Sequence, residues 1–173
     1  GVYLALASFA LSVAVPPVLK LTFLEPWTGG VQGMIVFPPD VPFGLDANQD
    51  YWLYFLVLFV AVLMYAGAVN LISSRAGRAM AAIRDNITAA RAMGIDVAHY
   101  KTLAFGLSAF YAGIAGALSA IVVQYVAPDS FSFFLSVYFV VGLVVGGVGW
   151  LPGSLLGGAF IVLVPNLAEK VSP

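Results

Sequence analysis

Five of the seven basic residues, Arg75, Arg78, Arg84, Arg91 and Lys101, fall within 27 positions, with long charge-free apolar runs on either side of them. Few folds accommodate that pattern. Apolar runs of such length seek lipid, and short loops rich in Lys and Arg stay on the cytoplasmic side, so the pattern describes an integral membrane protein and also orients it. Loop 73–101 is expected in the cytoplasm. A composition of 62% hydrophobic and 9% charged residues, with mean hydropathy +1.02, points to the same class. The basic residues sit in one loop and the net charge is -1, which leaves no electrostatic footprint for nucleic acid. There is no cysteine, so disulfides and thiolate metal sites are excluded. The chain opens on Gly1 inside an apolar run and stops at Ser172-Pro173 after a helix-like segment; it reads as an internal piece of a longer polypeptide, with no signal peptide to identify.

A hydrocarbon core of about 30 Å takes roughly 20 helical residues to cross. The uncharged runs therefore convert into passes over Gly1–Leu19, Tyr51–Ile72 and Thr102–Val126. The run from Ser130 to Ala168 holds 39 residues without a charge, too many for one pass and enough for two short ones. The break is expected at Gly146-Gly147-Val148-Gly149-Trp150-Leu151-Pro152-Gly153, where glycine weakens a helix and Pro152 removes a backbone donor. That leaves Phe131–Val145 and Ser154–Ala168, both short, one of them a candidate re-entrant segment. The expected fold is an all-α polytopic transmembrane helical bundle of about five segments with an amphipathic cytoplasmic helix.

Parity from the basic loop places loop 20–50 outside. That loop carries Glu25, Asp40, Asp46 and Asp50, no Arg, and Lys20 only at its membrane edge. Its prolines and glycines predict irregular structure. The turn Ala127-Pro128-Asp129 and the pair Glu169-Lys170 follow to the outside. Trp27, Tyr51 and Trp52 suit an outer aromatic belt.

Helices in lipid associate through small residues that let backbones approach. Ser108, Ala112, Gly116 and Ala120 recur every four residues, with Ala109, Gly113 and Ala117 beside them, so that face is expected to touch another helix. Gly142 and Gly146, then Gly149, Gly153 and Gly157, repeat the spacing. Two readings apply to Ser108, Gly113, Gly116, Gly146, Gly149 and Gly153: helix packing, or a translocation path built from exposed backbone. The apolar runs hold no Asp, Glu, His, Lys or Arg, which leaves no proton relay or voltage sensor in them. The single histidine, His99, lies in the basic loop without a carboxylate partner in the spans, and no phosphate-cradling Gly-Lys-Ser/Thr loop or metal-ligand cluster is present. No catalysis, cofactor or metal is expected in this chain.

From Ala76 to Met93 the loop reads as one amphipathic helix, with Met80, Ile83, Ile87 and Ala90 on one face and Arg84, Thr88 and Arg91 on another. Gly94 is its expected stop, and Asp96 the cap of the next helix. The apolar stripe suits either of two surfaces, the lipid headgroups or a groove on a cytoplasmic partner.

The stretch Ser74-Arg75-Ala76-Gly77-Arg78-Ala79-Met80-Ala81-Ala82-Ile83-Arg84-Asp85-Asn86, continued by Ala89-Ala90-Arg91-Ala92-Met93-Gly94-Ile95-Asp96 and Tyr100-Lys101, resembles the cytoplasmic loop of branched-chain amino-acid ABC-transporter permeases. The likeness continues through Leu103-Ala104-Phe105, Ser108-Ala109, Ala115-Gly116-Ala117-Leu118 and Gly146-Gly147-Val148-Gly149 to Gly153 and Gly157-Gly158-Ala159. Thr28-Gly29-Gly30-Val31-Gln32-Gly33 resembles the family's Thr-Gly-Gly-x-x-Gly. It covers nearly the whole chain and is closer to the LivM-like than to the LivH-like member of the permease pair.

The resemblance implies one transmembrane permease domain over 1–173, with further spans before and after it, in the cytoplasmic (inner) membrane of a prokaryote. It implies import of branched-chain or related amino acids, with urea and amides as alternatives. It further implies two cytoplasmic ATP-binding subunits, a second permease subunit and a periplasmic or lipid-anchored solute-binding protein as partners. The permease itself would bind no nucleotide. Arg78, Arg84, Thr88, Ala89, Ala90, Arg91 and Gly94 become the ATPase-coupling loop, and Thr28, Gly29, Gly30 and Gly33 a receptor-facing loop, the alternative being a glycine turn that only exposes Thr28. Importer permeases often carry Glu-Ala-Ala-x-x-x-Gly in that loop; this chain has Thr88 in place of the acid. The rival readings are an ATP-independent carrier or channel and a noncatalytic membrane scaffold.

Overall fold

The computed structural model describes residues 2–41, 48–131 and 133–171. Pro42 and Asp46 of the expected external loop lie outside the described residues. Apart from two dipeptide strands, Met34–Ile35 and Tyr125–Val126, the regular structure among the described residues is helical. The chain divides into two compact units, 36–125 and 1–35 with 126–173.

The first of these units is two long helices joined by the basic loop. Helix α3 covers Gln49–Ser73 and helix α6 covers Val97–Val123. At 1.5 Å per residue they reach about 38 and 40 Å, more than the hydrocarbon core requires. Asp50 lies in the first turn of α3, where a carboxylate complements the helix dipole. Asp96 caps α6 by accepting from the Ala98 and His99 N–H groups at 3.0 and 3.1 Å, as expected. That cap starts α6 at Val97, before the predicted Thr102, and the helix ends at Val123 rather than Val126. Tyr111 ties α6 to α3: its hydroxyl donates to the Met64 carbonyl at 3.0 Å, and Gly67 leaves room for that hydroxyl. The basic loop itself is not one helix over 76–93. It forms α4 (Arg75–Asp85) and α5 (Ile87–Ala92), broken at Asn86.

The other unit contains α1 (Val2–Leu19), the one-turn helix α2 (Glu25–Thr28), and the hairpin of α7 (Phe133–Gly146) with α8 (Gly153–Val171). The single turn α2 corrects the expectation of a wholly irregular loop. The predicted break appears where it was placed, and Gly147 and Gly149 adopt φ +97° and +91° in the connection. The α7–α8 contact depends on absent β-carbons: one on Gly146 would strike the Gly153 carbonyl, and one on Gly142 would strike Ile161. Lys20 Nζ donates to Asp129 Oδ1 at 2.6 Å, which joins the end of α1 to the turn before α7.

All five predicted apolar segments are helices. Gln49–Ser73, Val97–Val123 and Pro128–Gly146 are long and apolar enough to cross a membrane, while Leu6–Leu19 and Gly153–Leu167 are shorter apolar helices. Phe9, Phe59 and Phe139 are at least half exposed on them, an outward apolar surface suited to lipid. This is an integral membrane protein.

Candidate functional site

The most buried apolar cluster of unit 36–125 lies in the basic loop and not between the spans. Ile83, Ala90 and Val97 are 6%, 2% and 6% exposed, and Ala82, Ile95 and Tyr100 pack against them. Each element of the loop contributes: Ile83 from α4, Ala90 from α5, Val97 from the first turn of α6. The loop is thus a small folded module, and Ile83 and Ala90 of its apolar stripe are consumed inside it. Neither a lipid surface nor a partner's groove receives Ile83 or Ala90. Ile87, predicted on the same stripe, is 41% exposed, because the break at Asn86 rotates α5 away from the α4 register.

Five local devices fix the module. Ser74 occupies the corner between α3 and α4, its hydroxyl donating to the Leu71 carbonyl at 2.6 Å and accepting from the Gly77 N–H at 3.2 Å. Gly77 abuts the Leu71 and Ile72 carbonyls so closely that a β-carbon would collide with both. Arg78 Nη1 donates to the Ser73 carbonyl at 2.8 Å, a cation on the last exposed carbonyls of α3. Asn86 Oδ1 accepts from the Thr88 and Ala89 N–H groups, both at 3.0 Å, and so starts α5. At the other end Gly94, φ +79°, donates to the Arg91 carbonyl, and Ile95 donates to the Ala90 carbonyl, both at 3.0 Å. That pair of bonds is a Schellman stop, and Ile95 folding back onto Ala90 is its usual hydrophobic contact.

The predicted coupling residues therefore separate by role. Arg78, Ala90 and Gly94 build the module. Arg84, Thr88, Ala89 and Arg91 project from it, joined by exposed Ile87 and Met93. Arg84 Nε meets Asp85 Oδ1 at 3.2 Å, with both side chains more than two-thirds exposed, so the pair is solvated and holds little of the fold. His99 stacks edge-on to Tyr100 at the module's border. Ser74, Gly77 and Asn86 were not singled out from sequence; Ser at the first residue after a span, and Asn immediately before Ile-Thr-Ala-Ala, are the signals that mark them.

The other predicted sites fall as follows. Gly146 and Gly153 meet each other in the α7–α8 hairpin, which is the packing reading, and Gly149 lies in the connecting turn. On the small-residue face of α6, β-carbons on Gly113 and Gly116 would meet nothing within 4 Å among the described residues, and the Ser108 hydroxyl turns back to the Phe105 carbonyl at 2.8 Å. The expected helix contact there is not made within the unit, because α6 uses its bulky face, through Tyr111, on α3.

In the glycine loop Thr28 is half-buried rather than exposed. Its hydroxyl lies 2.8 Å from the Leu19 carbonyl and 3.0 Å from that of Leu24, and accepts from the Gly30 N–H at 3.2 Å. Gly29, Gly30 and Gly33 all have positive φ, so this motif has a backbone reason for each glycine.

Comparison with known proteins agrees with the spans. The family model described as a branched-chain amino acid transport system permease component matches residues 2–172. The chain is 30% identical to the high-affinity branched-chain amino acid transport system permease protein LivM of Escherichia coli, over 96% of this chain and 44% of that protein. It is 28% identical to the LivM protein of Salmonella typhimurium over the same shares. It is 32% identical to the autoinducer 2 import system permease protein LsrC of Klebsiella pneumoniae, over 82% of this chain and 42% of that one. The chain thus spans less than half the length of these curated relatives. No solved structure matches it.

Proposed function

We propose, since this chain belongs to the family of branched-chain amino acid transport system permease components, that it is the membrane-spanning part of an ATP-driven importer of branched-chain or related amino acids. Its energy comes from two separate ATP-binding subunits that grip the 73–101 module from the cytoplasm. The whole of 1–173 acts as one permease domain. A second permease subunit completes the path, and a solute-binding protein delivers substrate on the side of loop 20–50.

The observation that carries this reading is the folded state of the loop. A loop that only fixed orientation would need its arginines and nothing more. Here it holds the most buried apolar cluster of its unit and is fastened to both spans, through Ser74 and Arg78 to α3 and through Val97 to α6. Displacing such a body moves two span ends together, and that is how closure of the ATP-binding subunits becomes alternating access. Arg84, Thr88, Ala89 and Arg91 face the motor, while Arg78 passes its motion to α3. An apolar zwitterion carries no net charge, so spans whose interiors, 51–72 and 102–123, hold no Asp, Glu, His, Lys or Arg suit it.

The test uses the full-length protein assembled with its ATP-binding subunits in proteoliposomes. Arg84→Glu with Arg91→Glu reverses two exposed charges and leaves the module's core intact. Uptake is expected to fall more than about tenfold, with insertion unchanged and ATP hydrolysis uncoupled, given the cost of opposing like charges at an interface. Undiminished ATP-driven uptake would overturn the coupling role, and uptake without any ATP-binding subunit would favour a carrier or channel.

A further inference from the structure

At the end of unit 36–125 away from the loop, α3 begins and α6 ends, and an open cavity of about 350 Å³ lies there, lined by Asp50, Leu53, Tyr54, Val57, Val122 and Gln124. That volume is in the range of small-ligand pockets, about 300–1,000 Å³. The lining divides by chemistry. Leu53, 7% exposed, Val57 and Val122 make up its apolar lining, and Asp50, Gln124 and Tyr54 add a carboxylate, an amide and a phenol to that lining.

Gln124 is the second, independent observation. It is the one non-glycine residue with positive φ among those described, at +59°. Its N–H donates to the Ala120 carbonyl at 2.9 Å and its own carbonyl accepts from the Val36 N–H at 3.0 Å, so the backbone is held there from two sides. Glycine or asparagine usually fills such a helix stop, because a β-carbon in the left-handed region is disfavoured. Strain of this kind is retained where a side chain has work to do. Asp50 complements the helix dipole in the first turn of α3; the two bonds at Gln124 fix its main chain and make no use of its side chain.

We propose that this cavity is the first station for substrate on the permease and that it takes an α-amino acid with an apolar side chain. The substrate ammonium group is held by the Asp50 carboxylate and the Gln124 amide oxygen, and its hydrocarbon chain lies along Leu53, Val57 and Val122. The rim carboxylate selects for an amine and against a simple carboxylic acid of the same carbon skeleton. This assignment rests on the import reading above and adds a place and a recognition rule to it.

The experiment measures equilibrium binding of radiolabelled L-leucine to the full-length permease complex in nanodiscs, without ATP or receptor. Leucinol, which keeps the amine and lacks the carboxylate, is expected to compete; 4-methylpentanoate, which keeps the carboxylate and lacks the amine, is not. Asp50→Asn is expected to weaken leucine binding at least about tenfold, the loss of one charge-assisted hydrogen bond. Gln124→Gly is expected to weaken it as well while leaving the thermal midpoint at or above that of the parent, which separates recognition from folding. Equal competition by 4-methylpentanoate, or parental affinity in both variants, would overturn the proposal. Leucine binding absent while ATP-driven leucine uptake persists would overturn it and leave the import reading standing. Absence of ATP-driven uptake of any branched-chain amino acid would remove both.

Discussion

Asn86 stands inside a run whose apolar spacing continues on both sides of it, yet its side chain takes the Thr88 and Ala89 N–H groups in the first turn of α5 and splits the pattern into two helices. Asparagine favours this position because its short carbonyl reaches back to the backbone, and losing such a cap costs about 1 kcal/mol. Asn86→Ala is therefore expected to speed amide exchange at Thr88 and Ala89 about fivefold in the full-length protein, whereas Asn86→Asp, which keeps the acceptor, leaves it near the parental rate. Equal exchange in all three proteins would remove the cap from the account. Asn86 was legible in principle, since Asn before Ile-Thr-Ala-Ala is a helix-start signal. The apolar period masked it. Gln124 was not legible at all: neither glycine nor asparagine marks the stop of α6, and the residue read as part of a span.

The spans were visible as elements because charge-free length converts directly into membrane passes, and the glycine-rich break fell where a 39-residue run had to turn. Partners of those elements were not visible. Equal small-residue spacing appears on α6, where nothing of the unit meets it, and on α7 and α8, where backbones touch. Spacing reports that a backbone can approach, and only tertiary structure reports what does. The two cases separate by substitution. Gly153→Leu is expected to break the α7–α8 hairpin and abolish stable insertion of the full-length protein, since the Gly146 carbonyl occupies the place of a side chain. Gly113→Leu faces open space within its unit and is expected to leave insertion and thermal midpoint close to parental. A hairpin that tolerates Gly153→Leu would contradict the packing described here.

In unit 36–125 the two long helices bury little against each other, and the basic module between them holds the most buried apolar cluster. The chain belongs to the permease family, and under the function proposed above the module is the part that the ATP-binding subunits hold. The absence of cysteine from this stretch allows a single reporter to be placed on it. The most direct test is a cysteine at exposed Thr88 in the full-length protein, treated with a membrane-impermeant maleimide in right-side-out and in inverted vesicles, with and without the ATP-binding subunits. The account predicts labelling in inverted vesicles only, and protection when the ATP-binding subunits are bound. Labelling in right-side-out vesicles, or labelling in inverted vesicles that the subunits do not diminish, would contradict it.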